Sequence, residues 1–194
     1  MARVPLLTKE SDIAPETREV FESLEPMGLE RFLNQFAALA HHPPLMRAMH
    51  GLMQAYYQES LVEKKHLELA ILMVSRLNRC NYCVVHHTPP ALNNGINASQ
   101  LQAIEDGTWR EHDIFDPVER AVLRFAEQMN IRQGRIDDSL FAELSQTFDH
   151  AQIVELTVRV GMCEFFNRFN EAMQLDIEPI AEALFRQGAT DQSA

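Results

Sequence analysis

Two thiols stand two residues apart in Cys80-Asn81-Tyr82-Cys83, with Glu68 twelve residues before Cys80 and His87 four residues after Cys83. A pair so spaced closes a small disulfide ring or presents one activated thiolate. His87 at i+4 shares a helix face with Cys83, because neighbours on a helix surface lie three and four residues apart. The thiolate is the nucleophilic form, and thiol pKa falls from ~8.5 towards roughly 3.5–7.5 beside histidines and helix N-termini. A carboxylate such as Glu68 orients a histidine and favours its charged form. An acid, a base and a dithiol in this pattern read as thiol redox chemistry.

Other chemistries fit the same residues less well. Haem attachment needs a histidine directly after Cys83, where Val84 stands. Zinc would accept Cys80, Cys83, His86 and His87, but a structural site gathers two separated ligand pairs, and Cys163 has no histidine or cysteine close to it in sequence. A thioredoxin-like motif requires a preceding strand, and the preceding segment reads as helix. The simplest structural reading is two buried cysteines on an apolar helix, and Glu68 and His87 at matching positions weigh against it.

The elements that must position these groups are all helical. Pro15 opens a short helix through Phe21, ended by the turn at Pro26-Met27-Gly28. Phe32, Leu33, Phe36, Leu39 and Ala40 trace a stripe that stops before Pro43-Pro44, and a third helix carries Leu45 to Tyr56. A fourth, about Leu61 to Leu77, sets Glu68 beside the apolar side of Leu67, Ile71, Val74 and Leu77. Asn78-Arg79 breaks the pattern, so Cys80 falls at or near the start of the next helix. Pro89 cannot bond back to the Val85 carbonyl, which predicts a kink or an end just beyond His87.

Further helices follow over Ser99–Asp106, closed by Gly107, and from Asp116-Pro117-Val118-Glu119, a strong start signal, to about Arg132. Asp137 caps another through Phe148, Asp149 precedes a long one from about Ala151 to Leu175, and a last helix follows Pro179. No alternating strand pattern occurs. The fold class is an all-α bundle of about eight or nine helices. A weak internal echo places Asn167, Asn170 and Gln174, at an offset of 87 residues, where Cys80, Cys83 and His87 fall.

Composition bounds the partners. A chain of 194 residues predicts one domain spanning 1–194. A net charge of −11 argues against nucleic acid. The longest apolar run, Leu69 to Val74, is far short of the ~18 residues that suggest a membrane span. No signal-like stretch follows Met1, and three cysteines do not make a disulfide framework. The cytoplasm is the expected location.

Glu68, eleven residues, Cys80, two residues, Cys83, three residues and His87 resemble the active-site pattern of the alkylhydroperoxidase D-like, carboxymuconolactone decarboxylase superfamily. Val74-Ser75-Arg76 and Val84-Val85-His86-His87 are similar to it too, over a redox core of about 45–95. Phe166-Asn167-Arg168-Phe169-Asn170 resembles its peroxidase-related branch more loosely. The resemblance implies an all-helical homo-trimer or homo-hexamer that reduces hydroperoxides through the cysteine pair, at the expense of a thiol or dithiol reductant and without metal or organic cofactor. By position it makes Cys83 the attacking thiol, Cys80 its resolving partner, and Glu68 with His87 the proton relay. Tyr82 stands where some members carry a histidine. A decarboxylase of muconolactone-like acids, or a redox-sensing or zinc-binding module, are the alternatives. Between the thiols, His87 outweighs the helix terminus, which is worth only about 0.3–1 kcal/mol, and favours Cys83 as the thiolate. His86 is a candidate supporting group, and Cys163 reads as a buried small hydrophobe.

Overall fold

The structure, a computed structural model, describes residues 1–132 and 134–191; positions 133 and 192–194 of the expected 1–194 domain lie outside the described residues. Among these the chain forms ten α-helices and one 3-10 turn, Glu30–Phe32, with no strand. The helices are α1 Pro15–Leu24, α2 Leu33–Leu39, α3 Pro43–Gln58, α4 Lys64–Leu77, α5 Asn81–Asn93, α6 Ala98–Asp106, α7 Pro117–Ile131, α8 Asp138–Leu144, α9 His150–Met173 and α10 Pro179–Asp191.

The architecture is organised around α4. Nine consecutive residues, Leu67 to Ser75, are buried, so this helix presents no solvent face over about two and a half turns. A helix apolar all round must be wrapped by others, and α5, α7 and α9 pack against it. Two apolar clusters result. One joins α4 to α6, α7, α8 and the first half of α9 around Met73, Trp109, Leu123 and Leu156; the other joins α1, α2 and α3 to Cys80, Tyr82, Cys83 and Phe166. Capping boxes start three helices, pairing Asn97 with Gln100, Asp116 with Glu119 and Asp149 with Gln152.

Three local expectations are corrected. The fourth helix begins at Lys64 rather than Leu61, because the Leu61 and Val62 amides donate to the Glu155 carboxylate of α9, at 2.6 and 3.1 Å, instead of entering the helix. The helix capped by Asp137 ends at Leu144, four residues before Phe148. The third concerns the redox helix. Of the kink or end expected beyond His87, the end does not occur: α5 runs through Pro89-Pro90 to Asn93. Ala91, with no exposed surface, and the packing of α10 along α5 hold the last turn in place despite two missing backbone donors, and the Asn94 side chain bonds back to the Pro90 carbonyl at 2.7 Å.

Candidate active site

The dithiol is placed by the way α4 ends. Arg79 adopts a left-handed conformation, φ 56°, and its N–H bonds to the Arg76 carbonyl while the Cys80 N–H bonds to Ser75 at 2.9 Å. This is the paired 6→1 and 5→2 closure of a Schellman motif, with arginine where glycine is usual, at a cost of about 1–2 kcal/mol. Cys80 is therefore the last residue of one helix end and the N-cap of the next.

From that turn α5 runs back along α4. Glu68 and His87 lie nearly equal distances on either side of it, and the hairpin brings them together: Glu68 Oε2 lies 2.8 Å from His87 Nδ1. An ionised carboxylate only accepts, so Nδ1–H donates and Nε2 is left as the lone-pair nitrogen. Their side chains are only 10% and 13% exposed, so the pair is nearly dry. Burial holds His87 below the usual histidine range; Glu68 opposes that shift, and the charges of Arg31 and Arg159 add to it. At neutral pH His87 is accordingly a base rather than a cation.

A cavity of about 50 Å³ adjoins these groups, lined by Cys83, His87, Cys163, Phe32, Met53 and Arg159 among others. It has room for a few heavy atoms. Cys83 reaches it and Cys80, with no exposed surface, does not line it. All three thiols are free. Hydrogen bonding from the Cys83 thiol pulls Cys80 below the usual thiol range, and the same interaction, with burial, pushes Cys83 well up. The side-chain amide of Asn170 donates to Cys83 Sγ at 3.4 Å. Access to the cavity thus points to Cys83, while electrostatics favours charge on Cys80, opposite to the sequence expectation of a thiolate at Cys83. Cys163, pushed up to about 12 by burial, stays protonated beside Ser75.

Several groups lay outside the sequence expectation. Glu178, just before α10, accepts from the Tyr82 hydroxyl at 2.8 Å and the Asn34 amide at 2.7 Å, and its other oxygen meets His86 Nε2 at 2.8 Å. His86 is thereby turned to the opposite side of α5 from Glu68, stacked on Tyr82 with ring centroids 4.0 Å apart. Nothing in the sequence near Glu178 signals this role. Asn170 had a signal, since it holds the position of Cys83 in the 87-residue echo and packs against that residue in space. His41 meets the Pro5 carbonyl, His42 caps α3, His50 meets Ser23, and His66 sits edge-on to Phe148. Among the described residues no group of three or more His, Cys, Asp or Glu is arranged to hold a metal ion, and no helix is long and apolar enough to cross a membrane.

Residues 43–128 match the carboxymuconolactone decarboxylase family, a match over somewhat less than half of the chain, and the fold is similar to that of alkylhydroperoxidase D-like structures. The uncharacterized protein YdfG of Bacillus subtilis (strain 168) is 28% identical over 122 residues, 62% of this chain and 82% of its own length. An alkylhydroperoxidase AhpD core, an uncharacterized peroxidase-related protein from Ralstonia eutropha JMP134, has the same fold, with a TM-score of 0.79 at 20% identity over 95% of this chain and 96% of its own. The debrominase Bmp8 superposes with a TM-score of 0.71 at 26% identity, covering 96% of this chain and 97% of that one.

Proposed function

We propose that the protein is a thiol-dependent peroxidase that reduces organic hydroperoxides through Cys83 and Cys80. The observation that carries this reading is the buried Glu68–His87 pair, 2.8 Å apart, whose histidine shares a small cavity with Cys83. In the first step the Cys83 thiolate attacks the terminal peroxide oxygen. The O–O bond breaks, the sulfur is oxidised to a sulfenic acid, and the alkoxide leaves as alcohol after taking a proton, for which His87, having accepted the thiol proton, is the donor. In the second step the Cys80 thiol displaces water from the sulfenic acid and a disulfide forms. An external dithiol restores both thiols, so each cycle consumes one hydroperoxide and two thiol equivalents and yields alcohol, water and a disulfide.

The likeness to Bmp8 supports one second reading, in which the same dithiol removes bromine from an organobromide, giving the debrominated product, bromide, a proton and the disulfide. Reduced protein incubated with tert-butyl hydroperoxide, or with a bromopyrrole, in the presence of dithiothreitol separates the two. Peroxide loss without bromide release is the expected result. Bromide release without peroxide loss would replace the peroxidase by the debrominase, and neither would leave the lactone-acid decarboxylase as the enzyme to test.

A further inference from the structure

A second cavity, of about 240 Å³, lies on the other side of the Glu68–His87 pair. Tyr56, Tyr57 and Arg159 line both this cavity and the 50 Å³ chamber at Cys83, so they form the wall the two spaces share. The larger space is also lined by Arg31, Lys64 and Glu68. Three cations thus face one carboxylate, and that carboxylate already holds His87. On a chain of net charge −11, such a concentration of positive charge in a concavity is against the trend of the whole surface.

Arg159 is held in an unusual state for a half-buried guanidinium. Its guanidinium carbon lies over the Tyr56 ring, 4.8 Å from the ring centre, with Tyr57 at 5.7 Å. Among the described residues it forms no ion pair, and its buried Nε has no hydrogen-bond partner. Glu155, one turn earlier on α9, makes no ion pair with it; its two oxygens accept from Ser60, Leu61 and Val62. The Tyr56 hydroxyl, also buried, is likewise without a partner. Buried donors left unpaired are costly and rare, and a matched pair of them on one wall points to an acceptor supplied by a ligand. Stacking uses the face of a guanidinium and leaves its in-plane N–H edge for a planar anion, which a carboxylate fits in bidentate fashion.

We propose that Arg159 and Tyr56 bind the carboxylate of the substrate at the throat between the two cavities, so that the preferred substrate class is hydroperoxides of carboxylic acids. The 50 Å³ chamber accepts the peroxide group and the 240 Å³ cavity the remainder, with Arg31 and Lys64 drawing the anion in. The closeness of Arg31 and Arg159 to the chamber is independently visible in His87, which burial first, and then these two charges, hold below its usual range.

This assignment rests on the peroxidase reading, and the test keeps the two separable. The probes are tert-butyl hydroperoxide and its carboxylated counterpart 3-hydroperoxy-3-methylbutanoic acid, with dithiothreitol as reductant. The readout is the preference, the ratio of kcat/KM for the acid over the neutral peroxide, in wild type, Arg159→Lys and Arg159→Gln, each checked for helical content. Wild type should prefer the acid, and Arg159→Gln should shrink that preference about 10- to 100-fold, the scale of hydrogen bonds to a charged group, with Arg159→Lys between. An unchanged preference in Arg159→Gln would overturn the proposal. Should no peroxide be consumed at all, the peroxidase reading fails, and calorimetric titration with 3-methylbutanoate and 3-methylbutanol decides the site alone. Binding of the acid but not the alcohol, lost in Arg159→Gln, upholds the carboxylate throat; equal or absent binding in wild type and variant refutes it.

Discussion

Replacing Glu68 by glutamine isolates the relay, because the side chain keeps its shape and a hydrogen-bond acceptor while losing its charge. The pair is 2.8 Å long and nearly dry. Coulomb's law at an effective dielectric of ~20 would assign on the order of 6 kcal/mol to such a contact once His87 is protonated. That figure overstates what the substitution removes, since the introduced amide oxygen still accepts from His87. The relevant loss is the difference between a charge-assisted and a neutral hydrogen bond, about 1–2 kcal/mol. If it applies fully to imidazolium formation in the transition state, turnover falls about 5- to 30-fold. The pH profile gives the sign. Neutral His87 is the base, so activity rises with pH through its pKa, which burial already places below the usual range. Glu68 raises that pKa, so Glu68→Gln must lower it further and move the acid limb to lower pH while the plateau drops. Initial rates of hydroperoxide loss from about pH 4.5 to 8 measure both. An acid limb displaced to higher pH, or an undiminished plateau, would refute the relay.

Other outcomes follow from the same geometry. Cys80→Ser should still trap a sulfenic acid on Cys83 with dimedone after one equivalent of hydroperoxide, whereas Cys83→Ser should not; the reverse would make the thiol with the lowered pKa, Cys80, the attacking one. Peptide mapping of the oxidised wild type should find a Cys80–Cys83 disulfide and a free Cys163, whose thiol burial pushes up to about 12, and a dominant bridge to Cys163 would count against the scheme. Glu178→Ala leaves the Tyr82 hydroxyl, His86 and the Asn34 amide without their shared acceptor, and should cost about 3–5 kcal/mol in denaturant unfolding; Tyr82→Phe, which removes one donor, should cost about 0.5–3 kcal/mol. Light scattering should report a trimer or hexamer, and a monomeric mass at micromolar concentration would remove the assembly without touching the chemistry.

The sequence made the helical class legible because its stop and start residues act locally. Asp116-Pro117-Val118-Glu119 caps α7 as a box because both halves of the device lie within four residues. The four residues of the thiol pattern were legible for a related reason: one helical hairpin, with its turn at Asn78-Arg79, converts a spacing in sequence into a meeting in space. What escaped was the support from far along the chain. Glu155 shortens α4 across more than ninety residues, and Glu178 reaches Tyr82 and His86 across 96 and 92 residues. No local pattern encodes such pairs. Arg159 was equally silent, since its significance comes from lacking a partner. The expectation that the prolines end α5 failed for the converse reason. Their local cost is real, but the packing of α10 and the buried Ala91 outweigh it.

The Schellman turn at Arg79 has a consequence for how the site comes into being. Glu68 and His87 are 19 residues apart, and with Cys80 and Cys83 they all belong to a single α-hairpin. Contacts of low sequence separation require little loop closure and form early. The shielding of the thiols comes instead from the Cys163–Phe166–Asn170 stretch of α9, 87 residues beyond Cys83, and from α2 and α3. Along the ribosomal exit, Glu68, the dithiol and His87 are therefore all translated before the helix that encloses them. Under the peroxidase proposal, the nascent chain carries both thiols before the helix that shields them exists, and the thiols are most exposed to oxidants before the fold is complete.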